Sequence, residues 1–354
     1  MAEKINCWAA CAISSAHLAM SYGRLDDENP LSSILLFKAG APVPWGFVEV
    51  PRTIVSITSF SRDPHSGAVF VAMSNEGDVY FVEGDVPFEK IPGAGVLSDD
   101  AGGLGSMRTI RNLAGVLYAC GYGSQAYRRA ADGRWDPVIP PSLSGLAKID
   151  LSGMALARDG ALAVCGATQL TYRTPTAEEM STLERYKAEG PNSRFLKYRR
   201  EIMRVEKWVA GNISFLDSAG WSIVDLGTRN KLNDICRSAD GGVIAVGQAG
   251  VMFSVAPNGD VLDVSSDGIM QAYSAVRCHG SSIYVLGEDS IFEFAADMSL
   301  VQSISLPPNL TSPLSFDVFD DAIAYFDHSG AAIYADRSWT AVNIPDDLRQ
   351  LTGR

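Results

Sequence analysis

The chain has 354 residues, 47% of them hydrophobic and 20% charged, long and apolar enough for a sizeable core. Its 33 glycines and 17 prolines are near average usage, which excludes collagen-like and low-complexity chains. Lys and Arg total 29 against 41 Asp and Glu, a formal charge of −12. That balance disfavours a general nucleic-acid or anionic-membrane binder and favours a basic partner.

At the N-terminus, INCWAACAISSAHLAM (5–20) has the length of a signal-peptide core. Glu3 beside Lys4, and Asn6, Ser14, Ser15 and His17 within the run, do not fit that pattern. No run of about 18 apolar residues follows, so a transmembrane helix is not expected. Cys7, Cys11, Cys120, Cys165, Cys236 and Cys278 are scattered, with no CxxC. Six reduced thiols and a cytoplasmic location are expected from that spacing.

The first unit covers residues 5–52, with AHLAMSY (16–22), SILLFKAG (33–40) and WGFVEVP (45–51) as apolar runs. Then a short motif recurs, a turn residue followed by four or five apolar residues and a small one. Its copies are GAVFVAM (67–73), GVLYACG (115–121), GALAVCG (160–166), GVIAVG (242–247), SIYVLG (282–287) and AIAYFD (322–327). Starts are 48, 45, 82, 40 and 40 residues apart. An alternating segment precedes each copy, as in TIVSITSF (53–60), and two further β-rich runs follow, as in GVMFSVA (250–256). Turn residues divide the runs, so each unit reads as a four-stranded meander. Seven units at 40–48 residues lie in the range of propeller blades, with six or eight as the neighbouring counts.

ADGRW (131–135), SAGW (218–221) and ADRSW (335–339) stand at the turn before the last strand of their units. In these features the chain resembles the bacterial β-propellers grouped with WD-repeat, YVTN and neuraminidase-type repeat proteins. It lacks the full Ser-x-Asp-x-Gly-x-Thr-Trp box and the regular Gly-His to Trp-Asp pairing. The resemblance implies an all-β, seven-bladed propeller occupying 1–354 as one domain. Such a ring shelters strand edges and leaves two faces of loops for binding.

The 82-residue interval is the one departure from the period, and it marks an insertion at 174–208 within the fourth blade. Thr176 and Glu179 have capping-box spacing. Met180, Leu183 and Tyr186 then follow at helical intervals, and Gly190-Pro191 ends that run. Phe195, Tyr198, Ile202 and Val205 mark a second stripe. A helical hairpin, 177–189 and 194–207, is expected there. Residues 177–207 hold eight basic and six acidic side chains, in contrast to the acidic remainder.

Chemistry-bearing motifs are sparse. His17, His65, His279 and His328 have no metal-ligand spacing. Asp63, Asp132, Asp159, Asp217, Asp240, Asp260 and Asp336 stand near turns, where aspartate bonds the local backbone. There is no GxSxG elbow, and the Gly-rich GAGVLSDDAGGLGS (93–106) reads as a loop between blades. No catalytic residue, metal or cofactor is assigned.

The resemblance extends to function, since some bacterial propellers of this kind are immunity proteins that neutralise basic nuclease toxins. The expectation is therefore a non-enzymatic protein-binding propeller that occludes a basic partner. The alternatives are a lactonase- or glycosidase-like hydrolase with an axial site, and an assembly factor or scaffold. Repeat alignment puts the contact on the face with the second-to-third-strand turns and inter-blade loops. Glu76, Asp78, Asp99, Asp100, Glu288, Asp289 and Asp327 fall there, with Phe195, Tyr198 and Arg199 of the insertion as anchors.

Overall fold

In every unit the recurring apolar segment is the second strand of a four-stranded antiparallel sheet. A computed structural model describes residues 6–23, 31–61, 69–82, 88–97, 103–138, 149–172, 175–188, 195, 198, 201–202, 205–218, 220–266 and 268–351. The blades span 6–50, 54–90, 107–137, 149–225, 232–263, 275–305 and 313–342, each built from consecutive strands.

The second strand is apolar on both faces because both are buried between neighbouring blades. In blade three, Leu117 and Ala119 pack with Val71 and Met73 of blade two. The alternate residues, Tyr118 and Cys120, pack with Met154 and Val164 of blade four. Blade five repeats the arrangement: Val243 and Ala245 face blade four, while Ile244 and Val246 face blade six. Strand side chains alternate between faces, so a doubly covered strand needs a continuous apolar run. Each fully buried Val, Leu or Ile contributes about 1.5–3 kcal/mol relative to exposure.

The small residue that closes the motif has a steric cause. A Cβ at Gly121, Gly166 or Gly247 would collide with the carbonyl oxygen of Ser106, Asp150 or Lys231, respectively, where the inner strand begins. In blade seven that position is Asp327, whose carboxylate accepts the Ser312 and Ser329 N–H groups.

Ring closure depends on packing between the chain's two ends. Cys7, Leu18, Met20 and Leu35 of blade one meet Ala324 and Phe326 of blade seven. Leu348, on the terminal helix Asp346–Leu351, is buried in the same cluster. The Cys7 N–H donates to the His328 carbonyl at 2.7 Å, and the Ala12 N–H to Asp317 Oδ2 at 2.8 Å. At the rim, three tryptophans from the turn motif reach the preceding blade. Trp135 Nε1 donates to Glu89, Trp221 Nε1 to the Val138 carbonyl and Trp339 Nε1 to the Ser305 carbonyl. Turn aspartates act locally: Asp132, Asp159 and Asp240 each accept the N–H two residues on.

The insertion lies between the second strand of blade four, Leu162–Tyr172, and the third, Val205–Asp217. The capping box forms, with Thr176 N donating to Glu179 Oε2 at 2.8 Å and Glu179 N to Thr176 Oγ1 at 3.2 Å. It opens the helix Ala177–Ala188. Only part of the expected hairpin is established. Of the second helix, only Phe195, Tyr198, Glu201 and Ile202 are described with helical backbone, and Val205–Lys207 are strand. The blade-four strands extend outward as a ladder, pairing Tyr172 with Val205, and the backbone bonds there go to the sheet. A single insertion helix is established. Leu183, Phe195 and Ile202 are buried together, with Val96 and Leu97 of the loop between blades two and three packed against them.

The cysteines require a correction. Cys236 and Cys278 form a disulfide between the inner strands of blades five and six, with Cα atoms 6.3 Å apart. Forty-two residues separate them, so the pairing has no local sequence signature. Cys7, Cys11, Cys120 and Cys165 are free and buried. Thiol titration of the unfolded, non-reduced protein should therefore find four free groups; six would refute the bond.

Candidate functional site: the axial cavity and the loop face

All seven inner strands converge on the ring axis. Blades one, two and seven contribute Ala10, Ser56, Thr58 and Ser315, and these short side chains leave a cavity of about 390 Å³. Blades three, five, six and seven contribute Arg108, Arg111, Asp234, Arg277 and Asp317 to its lining. The apolar partners of the same strands, such as Met107 and Ile110, turn into the blade interfaces.

The charges form a chain across the axis. Arg111 Nη2 donates to Asp234 Oδ1 at 2.5 Å, and Arg277 Nη1 donates to Asp234 Oδ2 at 2.8 Å. Arg277 Nε continues to Asp317 Oδ1 at 3.3 Å, and its guanidinium lies 5.5 Å from the Phe316 ring centroid. Asp234 also accepts the Ile235 and Val276 N–H groups. Gly153 makes room for it, because a Cβ there would stand 2.9 Å from Asp234 Oδ1. One carboxylate thus ties blades three, five and six together.

Burial raises the Asp317 carboxyl, outweighing Arg277 and the Ala12 N–H. Burial also works to lower Arg277, but Asp234 and Asp317 prevail and hold it above its ordinary value. Nearby, Lys231 is lowered to about 8, first by burial and then by Arg108, against the pull of Asp150. Among the described residues, no group of three or more His, Cys, Asp or Glu is placed to hold a metal ion.

The sequence-nominated acids divide into three sets. Glu76, Asp78 and Asp327 lie in or beside second-to-third-strand turns and are buried. Glu76 Oε2 accepts the Val96 and Leu97 N–H groups at 2.8 and 2.7 Å. Asp78 holds Arg52, Lys90 and Ser74. These acids organise the loops. Glu288 and Asp289 are exposed, beside Ala272 and Gln271. Asp99, Asp100 and Arg199 lie outside the described residues. Phe195 is buried and Tyr198 half-buried, edge-on to Tyr186.

The same face exposes Met270 in the loop between blades five and six and Leu104 in the loop between blades two and three. A second cleft of about 450 Å³ runs between Trp8, Asn309, Thr311 and His328. The axial arginines were not nominated from sequence. MRTIRNL (107–113) carries two of them on one strand, but three residues apart, which strict alternation would put on opposite faces; a register shift between Met107 and Thr109 breaks that alternation, and both line the cavity.

No protein-family model and no curated protein matches the chain. Solved structures do. A catalytically inactive virginiamycin B lyase from Staphylococcus aureus, with quinupristin, aligns with a TM-score of 0.63 at 10% identity, covering 94% of each chain. The WD40 β-propeller domain of Doa1 aligns at 0.59 and 11% identity, covering 95% of this chain and 94% of that one. PorZ, a surface component of the type-IX secretion system of Porphyromonas gingivalis, aligns at 0.58 and 11% identity. The alignment covers 92% of this chain and 46% of PorZ. At such identities the likeness concerns fold alone, and the chain is a seven-bladed β-propeller.

Proposed function

We propose that the protein is a non-catalytic binding propeller that receives a protein partner on its loop face. The observation that carries this reading is the bonding of the axial carboxylates. Asp234 accepts from Arg111, Arg277 and two backbone N–H groups, and Asp317 accepts from Arg277 and Ala12. An acid–base catalyst needs a carboxyl within reach of the substrate proton, and these two are committed to the ring itself. The loop face instead presents exposed acids, the apolar Met270 and a polar cleft.

The −12 charge favours a basic partner. The narrower reading, an immunity protein that occludes a basic secreted toxin, rests on that charge. Its mechanism is stoichiometric occlusion, with the exposed acids steering the encounter. Co-expression with each neighbouring gene product, followed by purification of the complex, identifies the partner. Replacing both Glu288 and Asp289 by lysine should slow association by about tenfold at low salt, with thermal stability unchanged. Unchanged association would move the contact away from this part of the face. Hydrolytic turnover that Asp234→Asn abolishes while the fold persists would replace the reading with the axial-enzyme alternative.

A further inference from the structure

We propose that the axial cavity is a binding site for a small hydroxylated anion, with Arg108 as its counter-ion. This goes beyond the loop-face reading and stands or falls independently of it.

Positive charge is in excess around the cavity. Three arginines, Arg108, Arg111 and Arg277, line the cavity, against two carboxylates, Asp234 and Asp317. Arg111 and Arg277 are engaged by those carboxylates. Arg108 has no carboxylate partner among the described residues. Its polar contact is the Tyr122 hydroxyl at 3.5 Å, and its guanidinium lies 5.9 Å from that ring's centroid. Burial and Arg108 together lower Lys231, the response expected where positive charge is in excess and poorly solvated. A cationic excess at the axis of a chain with net charge −12 is a local feature that the overall composition does not produce.

The second observation is independent of charge. Ser152, 5% exposed, and Ser315 both line the cavity, and the hydroxyl oxygen of each is buried with no hydrogen-bond partner. An unpaired buried hydroxyl costs about 1–3 kcal/mol, so rotation of either side chain towards a hydrogen-bonding ligand in the cavity is favoured. The Ser152 carbonyl already accepts from Thr109 Oγ1 at 2.8 Å, which fixes the blade-four backbone beneath its side chain. A volume near 390 Å³ lies at the lower end of small-ligand sites. Arg108 supplies a forked donor that suits a carboxylate or phosphate, and the serines and Thr58 suit hydroxyl groups. Arg111 and Arg277 show 22% and 26% side-chain exposure, so water reaches the depth of the charge chain.

The test is calorimetric titration of the full chain with D-gluconate and inorganic phosphate, and with neutral D-glucose as the uncharged control. Gluconate is expected to bind, phosphate more weakly and glucose not measurably. Arg108→Gln should weaken gluconate by about tenfold or more, while Arg108→Lys, which keeps the charge but not the fork, should weaken it less. Ser152→Ala should weaken it by roughly threefold, as loss of one neutral hydrogen bond does. Thermal melts of each variant report whether the fold persists; Arg108 is in no ion pair among the described residues, so its melts should match the parent. Failure of both anions to bind would overturn the proposal. Equal gluconate affinity in the parent and Arg108→Gln would also overturn it, as would glucose binding as tightly as gluconate.

Discussion

Replacing Asp234 by alanine is expected to destabilise the protein by about 3–5 kcal/mol, the range for breaking a buried ion pair from one side. The cause is the two cations left behind. Arg111 and Arg277 both aim at this carboxylate, and the Ile235 and Val276 N–H groups would lose it as well. Arg277 would keep Asp317 at 3.3 Å, whereas Arg111 would keep only the Ile235 carbonyl at 3.1 Å. Urea unfolding of Asp234→Ala beside Arg111→Met separates these contributions. Arg111→Met should cost less, because Asp234 retains Arg277. Equal small losses from both would mean that the chain contributes little to closing the ring.

The second large effect concerns alkaline pH. Burial pushes Cys7 and Cys120 from an ordinary 9.0 up to about 12, and raises Cys11 and Cys165 well above 9.0. In the unfolded chain these thiols ionise near 9, while the folded state keeps them protonated. The unfolded state therefore binds fewer protons above pH 9, and stability falls as pH rises from there towards 12. Each thiol removes about 1.4 kcal/mol per pH unit over that interval. Lys231 acts in the opposite direction. Its folded value of about 8 lies below the ordinary 10.5, so its contribution rises with pH between those limits. Four thiols outweigh one lysine, and unfolding free energy should drop steeply between pH 9 and 11. Cys120→Ala should be less stable at pH 8 but show a shallower decline. An unchanged slope would mean that Cys120 ionises in the folded state.

Blade number, strand order and the position of the insertion were all legible in the sequence, because each unit repeats the same physical demand. The doubly buried second strand makes the motif continuous and apolar, and the close approach of the start of the same blade's inner strand makes its last residue small. The insertion's second segment was less legible. Phe195, Tyr198 and Ile202 have helical spacing, but Val205 already belongs to a strand paired with Tyr172, and one-dimensional spacing cannot reveal that partner. The Cys236–Cys278 bond and the Arg111–Asp234–Arg277–Asp317 chain were missed for the same reason. Each joins different blades, so its members lie tens of residues apart or more. Glu76, Asp78 and Asp327 lie in or beside second-to-third-strand turns, but repeat alignment does not tell a projecting carboxylate from one turned inward onto backbone N–H groups.

The central claim is that the axial charge chain closes the ring while recognition takes place on the loop face. The quadruple variant Arg111→Met, Asp234→Leu, Arg277→Met, Asp317→Leu tests it most directly, because it replaces all four members of the chain with apolar groups and leaves none of their charges buried without a partner. Its thermal stability and its binding to the co-purified partner would be measured together. Replacing a whole buried ion-pair group by apolar residues is often neutral or stabilising by about 1–4 kcal/mol, so the fold should survive. Partner affinity should stay within about threefold of the parent, a free-energy change below 1 kcal/mol. A folded quadruple variant that no longer binds its partner would contradict the account and move recognition into the axis.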